Sequence, residues 1–203
     1  MFMVKEIFYS LQGEGINAGR PAVFCRFSGC NMWSGLPKDK PESLCPFCDT
    51  DFRGGTAMTE DELVQEILNL CPAGALPLVI FTGGEPALQL TSSLIKRLKD
   101  KVINVAVETN GTRCLPEAGP YWITVSPKSL SQLVVTKGHE LKLLYPHKDI
   151  KPQDVEHLDF RYFSLQPIDD ENYEDNLRNT MNYCLDNPKW RLSTQQHKVW
   201  GVR

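Results

Sequence analysis

Six apolar runs in this chain each give way, at the same end, to a polar or glycine-containing turn: 21–27, 78–81, 102–107, 122–125, 141–144 and 162–165. Runs of that length bounded by turn residues read as buried strands. Strands whose chemistry-bearing residues all follow their C-terminal ends are the arrangement of a parallel barrel, where those ends and the loops after them build the site. A shorter run, Val4–Ser10, precedes them, and Trp190–Thr194 reads as a last strand.

Helical stripes are fewer than a full barrel needs. Thr59-Glu60-Asp61-Glu62 is a capping box. Leu63, Val64, Ile67, Leu68 and Leu70 follow at helical spacing, with Pro72 beyond the end. Ala87–Asp100 reads as a second helix with Leu88, Leu94, Ile95 and Leu98 inward, and Asn172–Leu185 as a third with Leu177, Met181 and Leu185 on one face. Gly111–Tyr121 and Ser129–Glu140 carry no such stripe. The expected fold is therefore an incomplete parallel (β/α) barrel of about six core strands and three main helices, a single domain over residues 1–203.

Within that frame, Cys30, Cys45 and Cys48 stand out, separated by fourteen residues and then by two. Three thiolates can hold three irons of a cubane cluster and leave the fourth open to a ligand. Cys45-Pro46-Phe47-Cys48 is also a zinc knuckle, which needs a fourth ligand such as Cys25, His139, His147, His157 or His197. The cysteines alone leave both readings open. Cys25, Cys71, Cys114 and Cys184 lack ligand spacing and read as ordinary buried residues.

The net charge of −3 comes with no run of Lys or Arg, which argues against a nucleic-acid module, and no stretch approaches the ~20 apolar residues of a membrane span. The charged start Val4-Lys5-Glu6 shows no signal peptide, so the seven cysteines are expected in a reducing cytoplasm, where metal binding is favoured over disulfides.

Other residues pose a choice between structure and function. Leu11-Gln12-Gly13-Glu14-Gly15 is an ordinary turn or a place where exposed backbone meets a planar ligand. Arg26 interrupts an apolar strand, so it is paired or faces a ligand, because an unpaired buried charge is costly. Thr82-Gly83-Gly84-Glu85-Pro86 joins a strand to a helix through glycines that let backbone approach a ligand.

Read together, the three cysteines, the strand before them and the G-G-E-P turn resemble the radical S-adenosylmethionine (SAM) superfamily. Over nearly the full length the chain further resembles the 7-carboxy-7-deazaguanine synthase family of queuosine and deazapurine biosynthesis. That closer likeness rests on Leu11–Gly15, Arg26, Cys45-Pro46-Phe47-Cys48-Asp49-Thr50, Glu108-Thr109-Asn110-Gly111-Thr112, Ser126-Pro127-Lys128 and Gln166-Pro167. The fourteen-residue gap departs from the three residues usual in the superfamily. It is taken as a loop that leaves the ligands in place while altering the cluster surroundings and the surface that receives a reductase.

The resemblance implies a [4Fe-4S] cluster on Cys30, Cys45 and Cys48, with SAM on the fourth iron. Reductive cleavage of SAM there yields a radical that takes hydrogen from 6-carboxy-5,6,7,8-tetrahydropterin. The ring contracts with loss of ammonia, hydrogen returns and SAM is regenerated: a lyase-type reaction. It places Phe47, Cys48, Asp49, Gly84, Ser126, Pro127, Lys128, Gln166, Pro167, Ile168 and Asp169 around SAM, and Mg²⁺ on the Thr50 hydroxyl. Substrate contacts fall to Leu11, Gln12, Gly13, Arg26, Thr82, Glu108 and Arg203. Glu108 is suited to accept the paired N–H donors of the pterin edge, and Arg26 to hold the substrate carboxylate. Of these, Thr50 also reads as a turn hydroxyl and 166–169 as a loop capped by Asp169 and Asp170. An electron donor such as flavodoxin and a homodimer complete the expectation. Two rivals remain at this stage: a glycyl-radical activating enzyme with a polypeptide partner, and a zinc-stabilised binding protein without catalysis.

Overall fold

A computed structural model describes all of residues 1–203, and its strands form one open sheet. In chain order the elements are β1 (Phe2–Leu11), β2 (Pro21–Phe27), β3 (Thr56–Met58), α1 (Glu60–Leu70), β4 (Leu78–Gly83), α2 (Ser92–Asp100), β5 (Val105–Thr109), β6 (Trp122–Val125), β7 (Lys137–Tyr145), β8 (Asp159–Pro167), α3 (Tyr173–Asp186), β9 (Trp190–Leu192) and α4 (Gln196–Trp200). The sheet order is β3-β1-β2-β4-β5-β6-β7-β8-β9. From β2 to β9 all neighbours are parallel, while β1 runs antiparallel to β2 and β3 antiparallel to β1. The first and last strands do not pair, so the barrel is incomplete.

Strand alternation divides the sheet into two faces of different chemistry. Odd-numbered residues of the parallel strands point outward into helix-covered cores. Val23, Cys25, Phe27, Val79, Phe81, Val105 and Val107 meet α1 and α2, while Val125, Leu141, Leu143, Phe163 and Leu165 form a second core. Even-numbered residues line the concave face. Low on that face they are apolar: Ala22, Leu78, Ile80 and Ala106 pack together, with Phe24 and Trp122 against them. Towards the strand C-termini they become polar, and Thr124, Glu140, Lys142, Ser164 and Gln166 are all buried. A packed floor beneath a ring of polar groups thus follows from the residue pattern alone.

Helix α1 begins at the expected capping box: Thr59 accepts from the Glu62 N–H at 3.2 Å, and the Glu62 carboxylate accepts from Thr59 N–H at 2.7 Å. The second helix is shorter than expected. Residues 86–88 form a single tight turn, Leu88 is exposed, and α2 starts only at Ser92 behind Thr91, whose hydroxyl accepts from Leu94 N–H at 3.2 Å. Pro86 suits the start of the turn, and Thr91 then supplies a better cap than the residues before it.

Val102 does not open the next strand. It sits at φ 62°, 77% exposed, where the Val102 and Ile103 N–H groups close α2 onto Lys99 and Leu98. That is a Schellman stop, usually made by glycine. The third helix turns a different face inward than expected. Asn176 and Thr180 are buried, whereas Met181 and Leu185 are exposed. Asn176 is drawn in because its amide donates to the Ile168 carbonyl and to Asp170, both at 3.0 Å. The spare cysteines also differ: Cys25 is buried, but Cys71 and Cys184 are half-buried and Cys114 is exposed.

Candidate active site

The strand C-termini open into one cavity of about 670 Å³. Every residue expected to bind cluster, SAM, Mg²⁺ or substrate lines it except Pro127, which is buried beside it. Cys30, Cys45 and Cys48 line it together with Phe47, Asp49 and Thr50, and so do Gln12, Arg26 and Glu108.

The loop between Cys30 and Cys45 is an ordered detour. Asn31 fixes its start, exchanging hydrogen bonds with Asn110 at 3.1 Å and Thr112 at 2.7 Å. Trp33 packs edge-on against Phe52 with centroids 5.5 Å apart, and Met32 is buried. The chain then returns Cys45 to the cavity. Burial pushes the Cys45 thiol up to about 11, and the other two cysteines lie close enough to add to that. Burial likewise raises Cys30, opposed by N–H groups of Met32 and Trp33 aimed at its sulfur, the first at 3.4 Å.

No three His, Cys, Asp or Glu side chains converge closely enough to share one metal ion. Ligands of a cubane each take a different iron and stand further apart than ligands of a single ion. N–H groups aimed at the Cys30 sulfur suit a thiolate ligand, whether of a cluster or of a single ion. Cys25, one candidate fourth ligand, lies in the apolar core.

The G-G-E-P turn is built around close approach. A Cβ on Gly84 would overlap the Gly29 carbonyl, and Glu85 N–H donates to that same carbonyl at 2.9 Å. Only a glycine lets this turn lie flush against the start of the cysteine loop. Glu85 is fully buried and accepts from Thr109 Oγ1 and Asn110 N–H, both at 2.7 Å, and from Ala87 N–H at 2.8 Å. Through Asn110 and Asn31 the turns after β2, β4 and β5 become one hydrogen-bonded unit. Desolvation raises the Glu85 carboxyl, and these bonds hold it down.

Lys128 is half-buried and bonds only its own turn, donating to the Ser126 carbonyl at 2.9 Å and its hydroxyl at 2.5 Å. The cavity's other lysines have carboxylate partners: Lys5 has Asp51, Lys142 has Glu14 and Glu108, and Lys198 has Asp49 and Asp169. Lys128 has none. Burial lowers its affinity for a proton, and Cys45 and Cys48 lie near enough to restore part of it.

Arg26 is both paired and turned to the cavity. Its Nε donates to Glu6 at 2.8 Å, and Glu6 also pairs with Arg203, whose carbonyl accepts from Ser10 at 2.8 Å. Thr50 makes no backbone hydrogen bond; its hydroxyl reaches only Asp49, at 3.5 Å. Asp169 pairs with Lys198, while Asp170 caps its own turn by accepting from Asn172 N–H at 2.8 Å.

The glycine turn after β1 differs from expectation in one respect. Its backbone is largely committed to protein: Gln12 bonds Arg20 and Gly19, Gly13 O accepts from Gln196, Gly15 N–H donates to Ser193, and Ile16 N–H donates to Glu140. A Cβ on Gly13 would overlap His197 of α4, so this glycine seats the C-terminal helix.

Comparison with known proteins agrees with this geometry. The Radical SAM superfamily profile matches residues 41–147. That match starts after Cys30, which lines the same cavity as Cys45 and Cys48. The chain is 50% identical to 7-carboxy-7-deazaguanine synthase of Nitratidesulfovibrio vulgaris, covering 99% of both chains. It is 48% identical to the synthase of Burkholderia multivorans, again over 99% of both. The chain belongs to the 7-carboxy-7-deazaguanine synthase family. The crystal structure of QueE from Escherichia coli superposes with a TM-score of 0.71 at 26% identity, covering 97% of this chain and 94% of that one.

Family membership directs attention to charged groups that motif reading passed over. Lys142 Nζ lies 2.5 Å from Glu14 and 3.1 Å from Glu108, and its side chain is only 6% exposed. Gln12 joins them, its amide donating to Glu108 at 3.3 Å. The signal was present in Glu140-Leu141-Lys142-Leu143, where charges alternate with leucines; such a strand carries its charges on one face. Gln195, His197 and Lys198 of the C-terminal segment also line the cavity. No helix is long and apolar enough to cross a membrane.

Proposed function

We propose that this chain converts 6-carboxy-5,6,7,8-tetrahydropterin to 7-carboxy-7-deazaguanine with release of ammonia, using a [4Fe-4S] cluster and SAM in a deazapurine pathway such as that to queuosine. The observation that carries the reading is the gathering of three thiols, a half-buried lysine without a salt-bridge partner, a cavity-facing arginine and a half-buried carboxylate around one cavity.

Cys30, Cys45 and Cys48 would hold the cluster, which together with SAM supplies one-electron chemistry and hydrogen-atom abstraction. The protein's own part is position and exclusion of water. Gly84 presents backbone without a side chain beside the cysteine loop, suited to the methionine end of SAM. Lys128 offers the cavity a cation with no carboxylate in salt-bridge contact, suited to the SAM carboxylate. Phe47 and the 166–169 segment flank the space assigned to adenosine.

At the substrate end, Glu108 can accept two parallel N–H donors from the pterin edge. Arg26 is engaged through Nε, which leaves its terminal amino groups for the substrate carboxylate. Thr50 lacks a backbone partner and carries a hard oxygen beside that position, as a Mg²⁺ ligand shared with substrate requires. The remaining assignments are a soluble cytoplasmic homodimer and reduction by a small electron carrier of the flavodoxin type.

Anaerobic incubation of the reconstituted protein with the pterin, SAM, Mg²⁺ and a chemical reductant tests the proposal. It predicts 7-carboxy-7-deazaguanine and ammonia in equal amounts over many turnovers per SAM. Absence of the deazaguanine while SAM is cleaved would reject the substrate and favour a different radical reaction.

A further inference from the structure

Glu14, Lys142 and Glu108 form a group of two half-buried acids around one buried base at the end of the cavity assigned to substrate. They come from three separate elements: the turn after β1, β7 and β5. Lys142 lies closer to Glu14, at 2.5 Å, than to Glu108, at 3.1 Å. Glu14 also accepts from Gln195 at 3.0 Å, so its charge is doubly held. Glu108 receives only the longer lysine contact and the Gln12 amide at 3.3 Å.

We propose that Lys142, anchored by Glu14, is a positioning residue that holds Glu108 ionised and aimed at the paired N–H donors of the pterin edge. The inference rests on the proposed substrate. A carboxylate can accept two N–H bonds, whereas a carboxylic acid must use one oxygen as a donor. Binding of this edge therefore requires the ionised form.

The charges facing Glu108 decide how readily that form is reached. From β7 come Lys142, which favours ionisation, and Glu140, which opposes it; from the turn after β1 comes Glu14, which also opposes it. Glu85 reaches the adjoining residues Thr109 and Asn110, and Lys128 lies within range of Lys142 and Glu14. Burial is the largest influence, and the balance pushes Glu108 up to about 7, while Lys142 brings Glu14 down to about 2. Glu14 is thus ionised across the neutral range, while Glu108 changes charge within it.

The test is anaerobic calorimetry of the tetrahydropterin binding to SAM-loaded protein between pH 5.5 and 9, with kcat and KM measured alongside. Wild type should gain about tenfold in affinity per pH unit up to about 7 and then level off. Lys142→Met should move that limb upward by at least about one unit, weakening binding at pH 7 at least about tenfold through KM, with recovery near pH 9. Lys142→Arg should keep the wild-type profile.

Glu14→Gln should move the limb downward, because it frees Lys142 for Glu108; a merely structural role does not give shifts of opposite sign. If Lys142→Met does not fold, Glu14→Gln with Lys142→Met removes both charges of the pair together and should also move the limb upward. Pterin bound by all variants with the wild-type pH profile overturns the inference. No pterin binding by wild type at any pH instead overturns the substrate assignment on which it rests.

Discussion

Glu108→Gln should make the protein more stable and less active, and the gain should depend on pH. Glu108 has an ordinary carboxyl value of 4.5 when unfolded and about 7 when folded. The folded state therefore keeps its proton between those values. The stability this provides is full below 4.5 and is lost as pH rises through 7. At about 1.36 kcal/mol per unit, ionising Glu108 costs the native state about 3 kcal/mol at pH 8 and about 1 kcal/mol at pH 5. Solvent reaches about a fifth of the side chain, so these are upper values.

A glutamine keeps one oxygen for Lys142 but turns an amino group towards the Gln12 amide, a mismatch worth about 1 kcal/mol. The net expectation is a gain of about 2 kcal/mol at pH 8 and none at pH 5. For a domain of this size that is a Tm increase of about 4–8 °C at the higher pH. Calorimetry of wild type and variant at the two pH values, paired with turnover, checks it. A Tm difference that is the same at pH 5 and pH 8 refutes the reasoning, whatever its size.

Val102→Gly should stabilise by about 1 kcal/mol, raising Tm by about 2–4 °C, because a β-branched residue holds the left-handed position that ends α2; an unchanged Tm contradicts the strain. Glu85→Ala strands three N–H or O–H donors in a buried site and should cost at least about 3 kcal/mol, measured by denaturation, with Glu85→Gln milder. Glu14 contributes the opposite pH dependence to Glu108: its lowered value means stability present above 4.5 and lost as pH falls towards 2, so Glu14→Gln should flatten the acid limb of the unfolding curve. Cys48→Ala should abolish the visible absorption of cysteinate-bound iron after reconstitution; full colour and activity in the variant would remove it from the ligand set.

The strands and the open barrel were legible because buried parallel strands leave a strong apolar signal, and because each ended in residues with chemistry to offer. Arg26 was legible because a polar group in apolar company needs a partner or a task, the thiols through their spacing, and Glu108 through the family likeness. The helix limits were less so. Ala87–Asp100 reads as continuous because its leucines keep helical spacing, yet Pro86 and Thr91 decide where the backbone can start. Met181 and Leu185 suggested an inward face, but the hydrogen bonds of Asn176 to the β8 turn outweigh two leucine-sized contacts in orienting α3.

Lys142 and Glu14 were hidden for a different reason. The alternation of charge and leucine over 140–143 marks Lys142 as facing one side of its strand, but its meeting with Glu14 across 128 residues of chain is stated by no local pattern. The C-terminal helix was hidden likewise, since its place over Gly13 comes from a steric fit and a single backbone bond to Gln196.

Low-temperature EPR of the reduced, reconstituted protein, recorded with and without SAM, addresses the central claim most directly. An iron left open by Cys30, Cys45 and Cys48 should take SAM as its ligand and change the cluster signal, and each single cysteine variant should lose that signal. A four-iron signal indifferent to SAM would mean that a protein side chain already fills the fourth position, and the account of this cavity would be wrong.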